Sequence, residues 1–321
     1  MDTEDRSFES IHWPPYGEMH AEMLSYLASN AQPKGFRLTP QSSTDATPQE
    51  WLSWLENLTN TIAGFLWPRY DDRGWHGASQ QHMLALTRAD LQVMDGLRPC
   101  LTQAISHCRS GHCTAQHLAL FEQEDQNAPV ATLAEYDASF YAHHGSRFRA
   151  AVVTGGADIA RPLSLHLKRR LQRPRPYQAS CLLGQVGFSY RLAKSGVTPS
   201  MVSGHCLQGV LALCQVLISL SSELASDSIA QACVRQFLID TGDRRVFAGV
   251  HYPSDNLGSW YAALCLCPHV FGVDAQRVKS ALWDAINSHS LVLRAMRAAG
   301  DPVYLPLLAE LQAEAARQVP S

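Results

Sequence analysis

Wherever this sequence shows a period, the period is that of a helix. Trp51, Trp54, Leu55, Leu58, Ile62, Phe65 and Leu66 recur at three- and four-residue intervals, which makes one apolar stripe on a helix that buries one face. Thr47-Pro48-Gln49-Glu50 opens that helix: Thr47 can cap it, Pro48 suits its first turn, and Glu50 stands where a capping-box carboxylate reaches back. A second helical region is expected over 78–106, with Met83, Leu84, Leu91, Met94 and Leu97 facing inward and a break near Arg98 caused by Gly96 and Pro99. Shorter helices are expected over 132–144 and 158–170. After Ser203, the residues Leu207, Val210, Leu211, Cys214, Leu217 and Ile218 make a strongly apolar helix. No segment alternates as a half-buried strand does, so the fold class is mainly α.

The same numbers narrow the function. A formal net charge of -3 argues against a nucleic-acid partner, because such binding neutralises many phosphates at once. Any anion site must therefore be local. The apolar run over 209–220 is interrupted by Gln215 and falls well short of the ~20 residues that span a bilayer. It reads as a buried helix, and no transmembrane segment is expected. The start, Met1-Asp2-Thr3-Glu4-Asp5, has no basic stretch before an apolar one, so no export signal is visible. Nine irregularly spaced cysteines fit free, mostly buried thiols in a reducing compartment. Both observations point to the cytoplasm, or to the periplasm if a signal has been removed.

One cysteine cluster asks whether a metal is held. His107, Cys108, His112, Cys113 and His117 lie within eleven residues and supply zinc-type ligands. The cysteine spacing is long for zinc, and no second Cys/His pair follows at a typical distance. We read the segment as a polar turn between helices. Its Ser110-Gly111-His112 triplet has no basic partners nearby and reads as a decoy.

The chemistry concentrates in residues 168–255. Lys168 precedes Arg175 by six intervening residues, and Pro174 and Pro176 stop a helix from running through Arg175. A lysine at a helix end and an arginine on a rigid turn can thus converge, and phosphate oxygens call for that mixture of point charge and planar fork. Arg169, Arg170 and Arg173 read as a solvated basic surface. Ser203-Gly204-His205 opens the apolar helix, where free backbone N–H groups and the macrodipole favour an anion. Beside that anion His205 would favour its protonated form, which suits a general acid. Arg245 precedes His251, and Asp255 follows His251 by four. With Pro253 in the first turn of a helix, Asp255 lies one turn in and can fix the His251 tautomer, leaving the other ring nitrogen as a nucleophile.

Lys-x6-Arg-Pro, Ser-Gly-His and Arg-x5-His-x3-Asp in this order resemble the three-part signature of the type-2 phosphatidic acid phosphatase superfamily, which includes bacterial nonspecific acid phosphatases and vanadium haloperoxidases. The resemblance covers roughly 158–260. It implies a helical bundle, with Lys168, Arg175 and Arg245 as phosphate clamps and Ser203 and the Gly204 backbone as further donors. It also implies His251 as the nucleophile that becomes phosphohistidine, Asp255 as its orienter and His205 as the acid for the leaving group. Val202 and Arg244 depart from the pattern, which usually has Pro and Ser there. Residues 1–46, rich in Pro, Ser, Thr and Gln, read as an irregular arm. Residues 47–150 read as a helical region packed on the catalytic part, and 151–321 as the catalytic bundle.

The first expectation is a metal-independent phosphatase or phosphotransferase, without cofactor, that takes a small phosphorylated substrate and is fastest on the acid side of neutral. The second is a haloperoxidase in which His251 ligates vanadate, since vanadate resembles the five-coordinate phosphoryl transition state. The third is a phosphate-binding module without turnover. Stripes such as that of Trp51 pack within the chain or, in a homo-oligomer, on a second copy. Residues 302–321, with Leu305, Leu307, Leu308 and Leu311, form a last amphipathic helix that docks on the bundle.

Overall fold

In the computed structural model of the chain, the capping signal at Thr47 is read out as expected. Thr47 N–H donates to the Glu50 carboxylate at 2.8 Å, and the Glu50 N–H donates back to the Thr47 hydroxyl at 3.3 Å. The helix that follows, α1 (Pro48–Phe65), buries Trp51, Leu55, Leu58 and Ile62 along one face. The structure describes residues 25–26, 31–68, 77–109, 115–126, 129–185, 188–193, 196 and 198–319. Among them no strand forms, and an isolated bridge joins Ala104 to Gln116. The fold is mainly α.

The helices after α1 are α2 (Gly77–Leu97), α3 (His117–Gln126), α4 (Ala138–Val153), α5 (Arg161–Leu171), α6 (Pro176–Leu182), α7 (Gly204–Ser219), α8 (Ser221–Ser226), α9 (Ser228–Phe247), α10 (Pro253–Val270), α11 (Ala275–His289), α12 (Leu291–Ala299) and α13 (Tyr304–Ala316). As Gly96 and Pro99 foretell, α2 gives way at Arg98 to a short 3-10 turn, Arg98–Thr102. The helix expected over 132–144 is displaced. Asp137 accepts the Phe140 N–H at 2.9 Å and starts α4 there, while Pro129–Glu135 winds as a 3-10 turn. The helix expected from 158 begins as a π segment, Thr154–Ala160, that continues α4 directly into α5.

The most apolar helix is the central one. α7 packs against α4, the π segment, α9, α10 and α11, and nearly every residue from Cys206 to Leu217 is buried. Glycine makes these approaches close. A Cβ on Gly155 would lie 2.6 Å from the Ala212 backbone, and one on Gly209 would meet the Leu238 carbonyl. The final helix, α13, docks through Leu307 and Leu311, and its buried Glu314 accepts from Lys279 of α11 at 2.9 Å.

Of the irregular arm, residues 25–26 and 31–46 are described. They lie on the bundle, with Phe36 fully buried against Trp51, Trp54 and His269. Residues 1–24 and 27–30, and Ser110, Gly111, His112 and Cys113 of the polar turn, lie outside the described residues. The reading of the cysteines as free thiols needs one correction. Seven of those described are free, but Cys108 is disulfide-bonded, a pairing that irregular spacing does not announce. Among the described residues no group of His, Cys, Asp and Glu could hold a metal ion, and no helix is long and apolar enough to cross a membrane.

Candidate active site

The first cluster is positioned by a helix end and a proline-bounded turn. Lys168 lies in the last turn of α5, Gln172 closes that helix at φ 51°, and Arg175 stands at the N-cap of α6. Both cations reach the same loop. Lys168 Nζ donates to the Pro199 carbonyl and, at 3.2 Å, to that of Ser200. Arg175 Nε donates to the Thr198 carbonyl at 2.8 Å and its Nη2 to the Thr198 hydroxyl at 3.1 Å. Burial, reinforced by Arg175, pushes the Lys168 ammonium well below its usual range.

The second cluster starts α7. Ser203 Oγ accepts the Cys206 N–H as the helix cap, which leaves its own proton available to an acceptor. A Cβ on Gly204 would come 3.2 Å from Ser164 Oγ and 3.8 Å from Lys168 Cε, so this helix start backs directly onto the lysine. His205 is half-buried beside them. Burial, Arg245, His251, Lys168 and Arg175 all act on its ring and push it well below the usual histidine range. The expected protonated form is one beside a bound anion; the cations of the protein alone act against it.

The third cluster turns from α9 into α10. Gly249, at φ 76°, makes the turn, and a Cβ there would meet the Ser189 carbonyl at 2.8 Å. The N–H groups of Val250 and His251 both donate to the Arg245 carbonyl, at 3.1 and 3.2 Å. His251 stands just before α10, and Asp255 is one turn in. His251 Nδ1 lies 3.0 Å from Asp255 Oδ2, and Arg175 Nη1 donates to His251 Nε2 at 2.9 Å while also holding the Val250 carbonyl at 2.7 Å. Since the guanidinium can only donate, Nε2 carries the lone pair and Nδ1 the proton. Arg245 is fully buried over the Phe121 ring and meets Asp125 at 3.3 Å, while among the described residues its Nε and Nη2 have no partner. Burial lowers it to about 10, against the opposing pull of Glu124 and Asp125.

The structure therefore brings Lys168, Arg175, Ser203, Gly204, His205, Arg245, His251 and Asp255 to one place. It also corrects one assignment. Arg173, read as surface, is fully buried between the rings of Trp67 and Tyr252, at 4.6 and 3.7 Å. It donates to Asp255 Oδ1 at 2.7 Å and to Asp90 Oδ2 at 2.8 Å. Arg169 is exposed and Arg170 half-buried, paired with Glu56. Burial alone would raise the Asp255 carboxyl, but Arg173, His251 and the Ser200 hydroxyl hold it well below the usual carboxylate range.

Asp90, Ser200 and Arg173 were not legible as site residues one by one, although Asp90 left a trace. It falls on the inward stripe of Met83, Leu86, Met94 and Leu97, and a carboxylate on an apolar face needs a buried partner. Arg244, one of the two departures, points away from His251 to Glu124 and to the Tyr136 hydroxyl, the latter at 2.7 Å.

Comparison with known proteins found no matching curated protein and no matching solved structure. Residues 148–279 do match a family model, that of the PAP2 superfamily, and the match spans all three clusters. The matched segment is consistent with the PAP2 superfamily, whose members are phosphatases or related enzymes.

Proposed function

We propose that this protein hydrolyses small phosphomonoesters without a metal ion, through a phosphohistidine at His251. The observation that carries the reading is the state of the His251 ring. Asp255 holds the proton on Nδ1, and the Nε2 lone pair faces the Arg175 guanidinium, so the nucleophilic nitrogen points at the cation that would hold a phosphoryl oxygen.

The steps follow from these positions. Lys168, Arg175 and Arg245 hold the phosphate oxygens, and the two unpartnered nitrogens of Arg245 are donors in search of acceptors. The Ser203 hydroxyl and the first N–H groups of α7 add donors at the positive end of a helix. Nε2 attacks phosphorus, the ester P–O bond breaks, and His205 gives its proton to the leaving oxygen. A water molecule then gives a proton back to His205 and attacks phosphorus, the P–N bond breaks, and phosphate leaves. The bound dianion supplies the negative charge that raises His205 from its depressed range, so the acid becomes protonated when substrate is present.

The test is release of phosphate from an aryl phosphate in metal-free buffer. We expect turnover in the intact protein and none in His251→Ala, with 32P from labelled substrate trapped on the wild-type chain alone. Oxidation of halide by peroxide after vanadate loading, with negligible phosphate release, would overturn the reading and make the same cradle a vanadate site.

A further inference from the structure

Asp255 is the residue that fixes His251, and something must in turn fix Asp255. Its Oδ2 accepts from His251 Nδ1, the Tyr252 N–H and the Ser200 hydroxyl. Its Oδ1 accepts from Arg173 Nη1 at 2.7 Å. Arg173 is fully buried, and its fork is shared: Nη2 goes to Asp90 at 2.8 Å, and Nη1 also reaches the Ser254 hydroxyl at 2.7 Å. Burial works against the Arg173 charge, and Asp255 and Asp90 outweigh it.

Asp90 is saturated too. Its Oδ1 accepts from the Ser254 N–H at 3.2 Å and from the Tyr304 hydroxyl at 2.9 Å, and its Oδ2 accepts from Arg173 and the Ser254 hydroxyl. Ser254 is in the first turn of α10, so Asp90 of α2 takes up one of the backbone donors that a helix start leaves over. Asp90 and Tyr304 lie outside residues 148–279. The two carboxylates bracket one guanidinium, which two aromatic rings hold in plane.

We propose that Asp90 and Arg173 are positioning residues for His251, acting through Asp255, so that α2 and the start of α13 complete the active site. This rests on the phosphohistidine reading. Arg173 orients one oxygen of Asp255, which aims the other at Nδ1–H and keeps Nε2 as the nucleophile. Asp90 shares the Arg173 charge, which leaves Asp255 enough negative character to support the cationic ring once phosphorus is attached. The other charged groups that act on the His251 ring are Arg175, Lys168 and the neighbouring His205.

Three variants test it: Asp90→Asn, Arg173→Lys and Arg173→Gln. Each is followed by steady-state kinetics on an aryl phosphate across pH and by 15N NMR titration of His251, with the melting temperature as a check on folding. Asp90→Asn is expected to lower kcat about ten- to a hundredfold, with KM within about twofold. It should also move the His251 titration to lower pH, because a negative charge is lost. Arg173→Gln should move that titration to higher pH, because a positive charge is lost, and Arg173→Lys should recover part of kcat. A purely structural role would lower the melting temperature without these opposed shifts. Wild-type kcat and an unmoved titration in both Asp90→Asn and Arg173→Lys would overturn the proposal. If the wild type releases no phosphate, the phosphohistidine reading fails, and the titration still decides the positioning role. If Arg173→Gln does not fold, Asp90→Asn decides it alone.

Discussion

The two flanks of His251 are built on opposite principles. On one side Arg173 lies between Asp90 and Asp255, every carboxylate oxygen has a donor, and two rings close over the guanidinium. On the other side Lys168, Arg175 and Arg245 crowd around His205 and His251, and among the described residues Asp125 meets Arg245 at 3.3 Å while two Arg245 nitrogens have no partner. A balanced buried network fixes geometry, since removing any member leaves a charge without compensation. An unbalanced one stores an affinity for whatever balances it, and on the proposed reading that is the phosphate of the substrate. On the proposed reading, rigidity and phosphate binding thus fall to different arginines.

The largest effect should come from the unbalanced flank. Arg245→Ala is expected to lower kcat/KM for an aryl phosphate by about 10²–10³-fold, the usual loss of one donor to a developing oxyanion. Its melting temperature should stay level or rise, because a cation depressed by burial and by its like-charged neighbours is removed. A large fall in melting temperature with kcat/KM preserved would erase the distinction between the flanks.

Arg244 is next to Arg245 in sequence and belongs to the balanced kind. It donates to Glu124 through Nε at 3.1 Å and again through Nη2, and both side chains are buried. Arg244→Met strands that carboxylate, so unfolding in urea should show a loss of about 3–5 kcal/mol. The folded fraction should keep most of its kcat, since Arg244 points away from His251. Neighbours that differ this much make the comparison sharp.

The difference between such neighbours also marks what a sequence can say. The start of α1 was legible because Thr47, Pro48 and Glu50 act within one turn, and its stripe follows from the helical period alone. His251 and Asp255 were legible for the same reason, four residues apart on one helix start. Arg173 was misread because nothing local separates it from Arg169 and Arg170. Its partner Asp90 lies 83 residues away, and only the packing of α2 on α10 brings them together. The π segment was hidden for a related reason. Gly155 and Gly156 look like a break, yet Gly155 is there so that the backbone can touch α7. The state of His205 depends on cations from three other elements, and so it lay beyond its own motif.

A subtler test compares two carboxylates with equal burial. Asp255 and Asp243 are both fully buried, but Asp255 has Arg173 and is held low, while Asp243 is pushed up to about 7 by burial and by Asp240. What Asp243 has instead are dipoles: the Ser290 hydroxyl, and the N–H groups of Leu291 and Val292 at 2.7 and 3.2 Å, which open α12. Its ordinary value is 3.8, so between there and about 7 the folded chain binds a proton that the unfolded chain has released. Folding is therefore favoured by this group at low pH, and the benefit is lost as pH rises through 7. The melting temperature of the wild type should fall from pH 5 to pH 8 by more than that of Asp243→Asn, which has no proton to lose and keeps a carbonyl to cap α12. Parallel curves for the two proteins would mean that the dipoles of α12 hold a buried carboxylate ionised as well as Arg173 does. The contrast between the flanks would then rest on geometry rather than on charge.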